Sequence, residues 1–392
     1  MEQRCEVAVL GLGAMGAATL YQLASAGVDV IGVDRHHPPH TQGSSHGDTR
    51  ITRLSVGEGS QYLPLVRDSH RIWRELEALT GESLFEQCGV LVMTSSPDYD
   101  PHNPDDFTHR TIALAREYGV EHEVLSAAAI RERFPQFSPT LSSAIGYFEP
   151  GGGYVRPERC IAAQSRLAQL HGARIRTNET VIRLQTHGDK VHIITDHGAI
   201  IANKVVVSAG MWSSELLGAP FNRLLRVCRQ KLFWFELQEN AAFARVSPSF
   251  ILTHGPGETD HSYGFPPLPG ERSMKIATEQ YLEATSAAAL DRTITSQEGL
   301  DMFQAQVVGK VAGLTPTVVK SSVCAYTVTP DHHFIIDDHP QLKNVTVVSA
   351  CSGHGFKHSA GLGLGLALAQ RCIRGTSDVD LSAFSLKRFE NG

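Results

Sequence analysis

An apolar run near the start of the chain, Val7-Ala8-Val9-Leu10, is too short for a buried helix and suits a strand covered on both faces. The turn Gly11-x-Gly13-x-x-Gly16 comes next, and an Ala- and Leu-containing stretch to about residue 26 predicts a helix. A second run, Val30-Ile31-Gly32-Val33, ends at Asp34. The order is strand, glycine turn, helix, strand, with the turn at the helix N-terminus. From 35 to 53 the chain is rich in His, Pro, Gly and Ser, which predicts an irregular loop at the ligand end of this unit.

Pro157 and Glu158 open a predicted helix running to about residue 170, because proline suits a first helical turn and an acid suits the positive end of the dipole. Strands are expected around 181–184, 190–195 and 199–207, the last two joined by the hairpin turn Thr195-Asp196-His197-Gly198. Between 218 and 329 the pattern changes to runs such as Lys231-Leu232-Phe233-Trp234-Phe235 separated by Pro- and Gly-rich turns, with one helix near 296–308. After Val345-Thr346-Val347-Val348, strand, glycine turn and helix return. The fold class expected is α/β plus β: a Rossmann-like dinucleotide domain built from discontinuous segments, with an inserted antiparallel-sheet substrate domain. The segments 1–86, 150–217 and 328–392 are assigned to the first, and 87–149 and 218–327 to the second.

A length of 392 residues favours two domains sharing one site. The net charge of −6 comes without a long run of either sign, which argues against nucleic acid and against a polybasic membrane attachment. No apolar run approaches membrane-spanning length. Small molecules are therefore the expected partners. Seven cysteines without a C-x-x-C pair indicate neither a disulfide framework nor a zinc site, so the thiols read as reduced and the protein as cytoplasmic.

In the glycine turn, Gly11 permits the sharp bend, Gly13 lets the backbone approach a pyrophosphate, and Gly16 allows close helix packing. Ala14 and Met15 then carry backbone N–H groups toward the phosphates. Asp34 is placed to accept a bond from a ribose hydroxyl. These residues indicate a dinucleotide and do not distinguish FAD from NAD.

Four further stretches narrow the choice: the loop Pro38 to Arg53; Cys324-Ala325-Tyr326-Thr327-x-x-Pro330-Asp331-x-x-Phe334-Ile335-Ile336-Asp337; Ser352-Gly353-His354-Gly355-Phe356-Lys357; and Tyr263-Gly264-Phe265-Pro266 with Lys275 further along. In sequence and order they resemble the monomeric sarcosine oxidase and N-methyltryptophan oxidase family of FAD-dependent amine oxidases, and the resemblance reaches from end to end. It implies oxidation of a secondary amine, an N-methyl or cyclic amino acid, by transfer of a hydride equivalent to flavin N5. The imine product is hydrolysed and O2 is reduced to H2O2.

The resemblance also implies roles for individual residues. Cys324 corresponds to the cysteine that bonds covalently to the flavin 8α-methyl carbon, a task suited to a thiolate. Ser44, His46, Thr49, Arg50, Val181, Gly210, Trp212, Gly353, Gly355, Phe356 and Lys357 are expected around FAD. His46 and Arg50 fall near the ring, where Arg50 stabilises developing negative charge. Arg53 and Lys357 grip the substrate carboxylate, since an arginine clamps it with two parallel bonds and a lysine adds a point charge. Lys357, at an expected helix start, sits poorly with the dipole and therefore calls for an anionic partner. Lys275 promotes reoxidation by oxygen through its charge, against the alternative of a solvated lysine on an edge strand. Tyr263 and Tyr326 orient substrate or wall the pocket.

Three positions depart from the family pattern: Glu279 stands where histidine is common, Ser45 replaces a frequent histidine, and Cys351 replaces a bulky apolar residue. They point to a pocket retuned for a different amine. The rival readings are an NAD-dependent dehydrogenase, which leaves Cys324 and the Lys357 segment without a task, a non-catalytic redox sensor, and a flavin dehydrogenase that passes electrons to a carrier. The family precedent is a monomer.

Overall fold

The structure, a computed structural model, describes residues 2–94, 106–137, 144–241, 247–257, 259–361 and 368–390. Among them the chain forms a mixed α/β fold with three sheets and no closed barrel.

The first strand, Glu2–Leu10, lies inside an eight-stranded sheet, parallel to Val30–Val33 on one side and to Gly198–Val207 on the other. Val7 and Val9 enter one apolar core while Ala8 and Leu10 enter another. This two-sided burial is why the strand reads as an unbroken apolar run. The helices Ala14–Ser25 and Pro157–Leu170 pack together. Val181–His187, Lys190–Thr195 and Gly198–Val207 are the three expected strands; the expected hairpin joins the last two, the first pairs antiparallel with Lys190–Thr195 to make a meander, and Val345–Ser349 joins Gly198–Val207 in parallel.

A nine-stranded sheet takes strands from Val90–Thr94 to Leu314–Val328. It is antiparallel except where Ser249–Thr253 runs parallel to Val90–Thr94, a pairing the expected antiparallel sheet did not include. The helices Ala127–Arg133 and Ser296–Gln306 contribute Ile130 and Met302 to its core. Ser273–Thr278 is flanked by Arg226–Leu237 and His261–Gly264 and is therefore an interior strand. That removes the edge-strand alternative for Lys275.

A three-stranded sheet pairs Arg50–Thr52 and Phe85–Glu86 with Gly153–Val155. The expected loop thus stops short of 53: Ile51 faces Tyr154 in register, and this pairing gives Arg53 a rigid base. The helix expected after the second glycine turn falls partly on 362–367, outside the described residues. Gly355 leads into a single tight turn, Phe356–His358, and a helix spans Leu368–Arg374. No described helix is long and apolar enough to cross a membrane.

Candidate active site

A cleft of about 430 Å3 opens at the C-terminal end of Glu2–Leu10, a volume within the range of small-molecule sites. The glycine turn forms its floor. Gly11 has φ +89°, and a Cβ there would come within 2.6 Å of the Ser208 carbonyl oxygen. At Gly16 a Cβ would stand 1.8 Å from the Gly11 carbonyl oxygen, a backbone atom that has no room to yield. At Gly13 nothing but Ser45 Oγ lies within 4 Å, at 3.6 Å, so this backbone faces the open cleft. Asp34 is buried, with one oxygen accepting from Leu12 N at 2.7 Å and the other from His36 N at 2.8 Å. The His40 ring lies 3.3 Å from the same carboxylate.

Ala14, Met15 and Asp34 line the cleft at this end, and Val181, Gly210 and Trp212 stand beside them. Ser44, Arg50, Tyr326, Gly353, Gly355 and Phe356 line it further along. Gly16, His46, Thr49, Cys324 and Lys357 are buried behind these walls. A cleft lined both by an exposed glycine backbone and by a hydrogen-bonded arginine fits FAD.

The loop carrying Ser44 to Arg50 is tied from several sides. Ser44 Oγ donates to the Ala325 carbonyl, and Arg50 donates to Ser44 O at 2.7 Å and Thr49 O at 2.8 Å. Lys275 Nζ donates to Gly47 O and Thr49 O, both at 2.8 Å, and to Thr49 Oγ1 at 3.2 Å. Trp234 and Phe265 present their ring faces to the same nitrogen. Burial, aided by Arg50, pushes the Lys275 pKa well below that of an ordinary lysine. The same causes, burial and then Arg50 and Lys275, bring His46 down to about 3, so its ring is neutral.

Arg53 and Lys357 do converge, and on a residue the sequence reading missed. Glu58 Oε2 lies 3.3 Å from the Arg53 guanidinium, and Oε1 accepts from Lys357 Nζ at 2.7 Å. The anion that relieves Lys357 is therefore supplied by the chain itself. Lys357 lies in the turn Phe356–His358, donating also to His354 O at 2.9 Å, which corrects the expected helix start. Burial alone would raise the Glu58 carboxyl, but Lys357 and Arg53 outweigh it and hold the pKa well below the ordinary value. Glu58 sits between Gly57 and Gly59 five positions after Arg53; a charge between two glycines was the available signal.

Tyr263 and Tyr326 pack with Cys324 and Cys351 in one cluster. Cys324 is opposite Gln230 in the strand Leu314–Val328, and burial raises its thiol pKa while Arg50 and Lys275 pull it down. Glu279 accepts from the Tyr281 hydroxyl at 2.7 Å, and its Oε1 fills the space beside Gly353, where a Cβ would come within 2.2 Å. Burial raises the Glu279 carboxyl against that hydrogen bond. The arrangement brings together an open glycine-floored cleft, two cations around one carboxylate, and a buried lysine and a half-buried arginine that both tie down the loop Ser44 to Thr49.

Residues 6–370 match the family model described as FAD dependent oxidoreductase. The chain is 36% identical to a monomeric sarcosine oxidase of Bacillus sp. (strain NS-129), over 99% of this chain and 98% of that one. It is 33% identical to an N-methyl-L-tryptophan oxidase of Yersinia pestis (strain Pestoides F), over 98% and 99%. The fold is also that of NikD, described as an unusual amino acid oxidase essential for nikkomycin biosynthesis, with a TM-score of 0.81 at 22% identity over 98% and 97% of the two chains. The resemblance read from the sequence is thereby borne out, and the chain belongs to the FAD-dependent oxidoreductase family that includes monomeric sarcosine oxidase and N-methyltryptophan oxidase.

Proposed function

We propose that this enzyme oxidises a secondary amino acid, N-methylated or cyclic, with O2 as electron acceptor and H2O2 as product. The observation that carries the reading is that Arg53 and Lys357, both buried, already hold a carboxylate between them. The substrate carboxylate takes the place of Glu58, and the clamp fixes the amine relative to the cleft, so that positioning supplies much of the rate. When bound, FAD would supply the acceptor for a hydride equivalent from the carbon next to nitrogen and the route of the electrons to O2. Gly11, Gly13, Ala14, Met15 and Asp34 hold its dinucleotide end, while Ser44, Thr49, Arg50, Val181, Gly210, Trp212, Gly353, Gly355 and Phe356 frame the rest. His46, neutral and buried, packs behind the ring site.

Tyr263 and Tyr326 wall the substrate pocket, and Glu279 supplies an acceptor that disfavours a second carboxylate in the substrate. Lys275, its ammonium supported against burial by the three oxygens of Gly47 and Thr49, presents a positive charge to oxygen, worth more in a buried site than in water. Cys324 would form the covalent bond to the flavin, Arg50 and Lys275 offsetting part of the burial that otherwise disfavours its thiolate. The segments 1–86, 150–217 and 328–392 form the FAD-binding domain and 87–149 with 218–327 the substrate domain, with Arg53 and Lys357 reaching the substrate from the first and Cys324 the flavin from the second. The protein acts as a cytoplasmic monomer.

The test is an absorbance spectrum of acid-precipitated, washed protein, then a peroxide screen over N-methyl and cyclic amino acids. Yellow colour in the pellet supports the Cys324 bond, and colour released to the supernatant refutes it. Peroxide with a secondary amino acid supports the oxidase; reduction of a dye without peroxide overturns it in favour of a dehydrogenase.

A further inference from the structure

Glu158 opens the helix Pro157–Leu170, where its sequence position explains it only as an acid at the helix dipole. Its Oε1 accepts from Gly47 N at 2.6 Å and from Asp48 N at 3.1 Å. The Asp48 N–H and the Gly47 carbonyl belong to one planar peptide group. That carbonyl accepts from Lys275 Nζ at 2.8 Å. The sequence in space is carboxylate, peptide group, ammonium. The peptide dipole points its oxygen at the ammonium and its N–H at the carboxylate, so each hydrogen bond strengthens the other.

The surroundings make this link consequential. Lys275 is 2% exposed, and among the described residues it makes no ion pair. Arg50 faces it from the short strand and opposes its charge; Cys324 faces it from Leu314–Val328, and His46 on the loop is neutral. Asp48 is already engaged by Lys320 Nζ at 2.6 Å. Glu158 has no such cation among the described residues. The loop itself needs an outside anchor, since Gly47 and Asp48 both have positive φ, +93° and +70°, and a Cβ at Gly47 would meet Leu232 at 2.6 Å.

We propose that Glu158 is a positioning residue for oxygen reduction, holding Lys275 in place and charged through the Gly47–Asp48 peptide. The proposal rests on the reading of Lys275 as the oxygen site. Glu158→Gln keeps a carbonyl that accepts both N–H bonds and removes only the charge. Glu158→Asp keeps the charge.

Two measurements on the FAD-loaded, full-length protein test it. The first tracks the 13Cε resonance of Lys275 with pH, assigned by its loss in Lys275→Met. Glu158→Gln is expected to lower the midpoint by about one unit, tenfold in acid dissociation, and Glu158→Asp to restore it. The second is the rate at which reduced enzyme reacts with O2. Its pH profile shifts to acid by the same amount in Glu158→Gln, while the rate of anaerobic reduction by substrate is unmoved. An unshifted Lys275 midpoint overturns the proposal, as does slower reoxidation with an unshifted profile. If Lys275→Met reoxidises at the parental rate, the oxygen reading fails instead, and the midpoint alone still judges the coupling.

Discussion

Replacing Glu58 with glutamine separates the clamp from its internal occupant. The shape of the side chain is kept and its charge removed. On the proposed reading, a substrate carboxylate displaces a 2.7 Å bond from Lys357 and a 3.3 Å contact with Arg53 in the parent. Charge-assisted hydrogen bonds contribute roughly 1.5–3 kcal/mol each, and the longer contact less. A net release of about 2 kcal/mol predicts roughly 30-fold tighter binding of a simple carboxylate. The free protein should lose about 3 kcal/mol, because Arg53 and Lys357 are left charged, buried and unpaired. Saturating carboxylate restores part of that by mass action. Titration calorimetry with propionate at neutral pH measures the affinity, and thermal unfolding with and without propionate measures the compensation. Affinity equal to or weaker than the parent's would show that Glu58 supports the bound carboxylate instead of competing with it, and the displacement argument would be wrong. The pH dependence has a definite sign. Glu58 has a depressed folded-state pKa, so its contribution is present above the ordinary carboxylate value and lost as pH falls through the folded value. Glu58→Gln should therefore flatten the acid limb of the stability profile.

Gly16→Ala places a Cβ against the Gly11 carbonyl oxygen and is expected to cost at least about 3 kcal/mol, with loss of FAD, read as a lowered melting temperature and colourless protein. A parental melting temperature would contradict the close packing. Cys324→Ala should bind FAD that acid precipitation releases; flavin kept in the washed pellet would assign the bond to another residue. Lys275→Met is expected to slow reoxidation roughly 100-fold, as loss of one preorganised charge-stabilising donor does, with anaerobic reduction unchanged in stopped-flow traces.

The strand, turn, helix, strand unit was legible because a sheet buried on both faces writes itself as continuous apolar runs, and the positive φ of Gly11 demands its residue type. The second sheet was legible only as a tendency. Arg226–Leu237 pairs with both Ser273–Thr278 and Leu314–Val328, and apolar alternation does not encode which distant strand becomes a neighbour. The helix Leu63–Thr80 carries a readable stripe, Leu65, Ser69, Ile72 and Leu76, that the sequence reading left out. Arg53 and Lys357 were found through resemblance. Glu58 was not, since an acid between two glycines looks like an ordinary turn until the fold brings Lys357 to it. Glu158 is the first-turn acid its sequence position suggests, and that local reason is sufficient by itself; its bonds to Gly47 and Asp48 depend on a loop 110 residues earlier and leave no trace in the local pattern.

The register of the first sheet has a consequence for how the protein is made. Val9 pairs with Val206, and Val206 in turn with Thr346. A chain emerging from the ribosome therefore carries Glu2–Leu10 unpaired on that side until residue 206 is free, and although Lys190–Thr195 covers residues 198–202, Val205–Val207 keeps an open edge until residue 346 emerges. The cleft wall at Gly353 and Phe356 comes later still. The FAD cleft is thus complete only after residue 356 has emerged, and a product truncated before Val345 leaves the apolar edge Val205–Val207 bare to other nascent chains, where aggregation competes with folding.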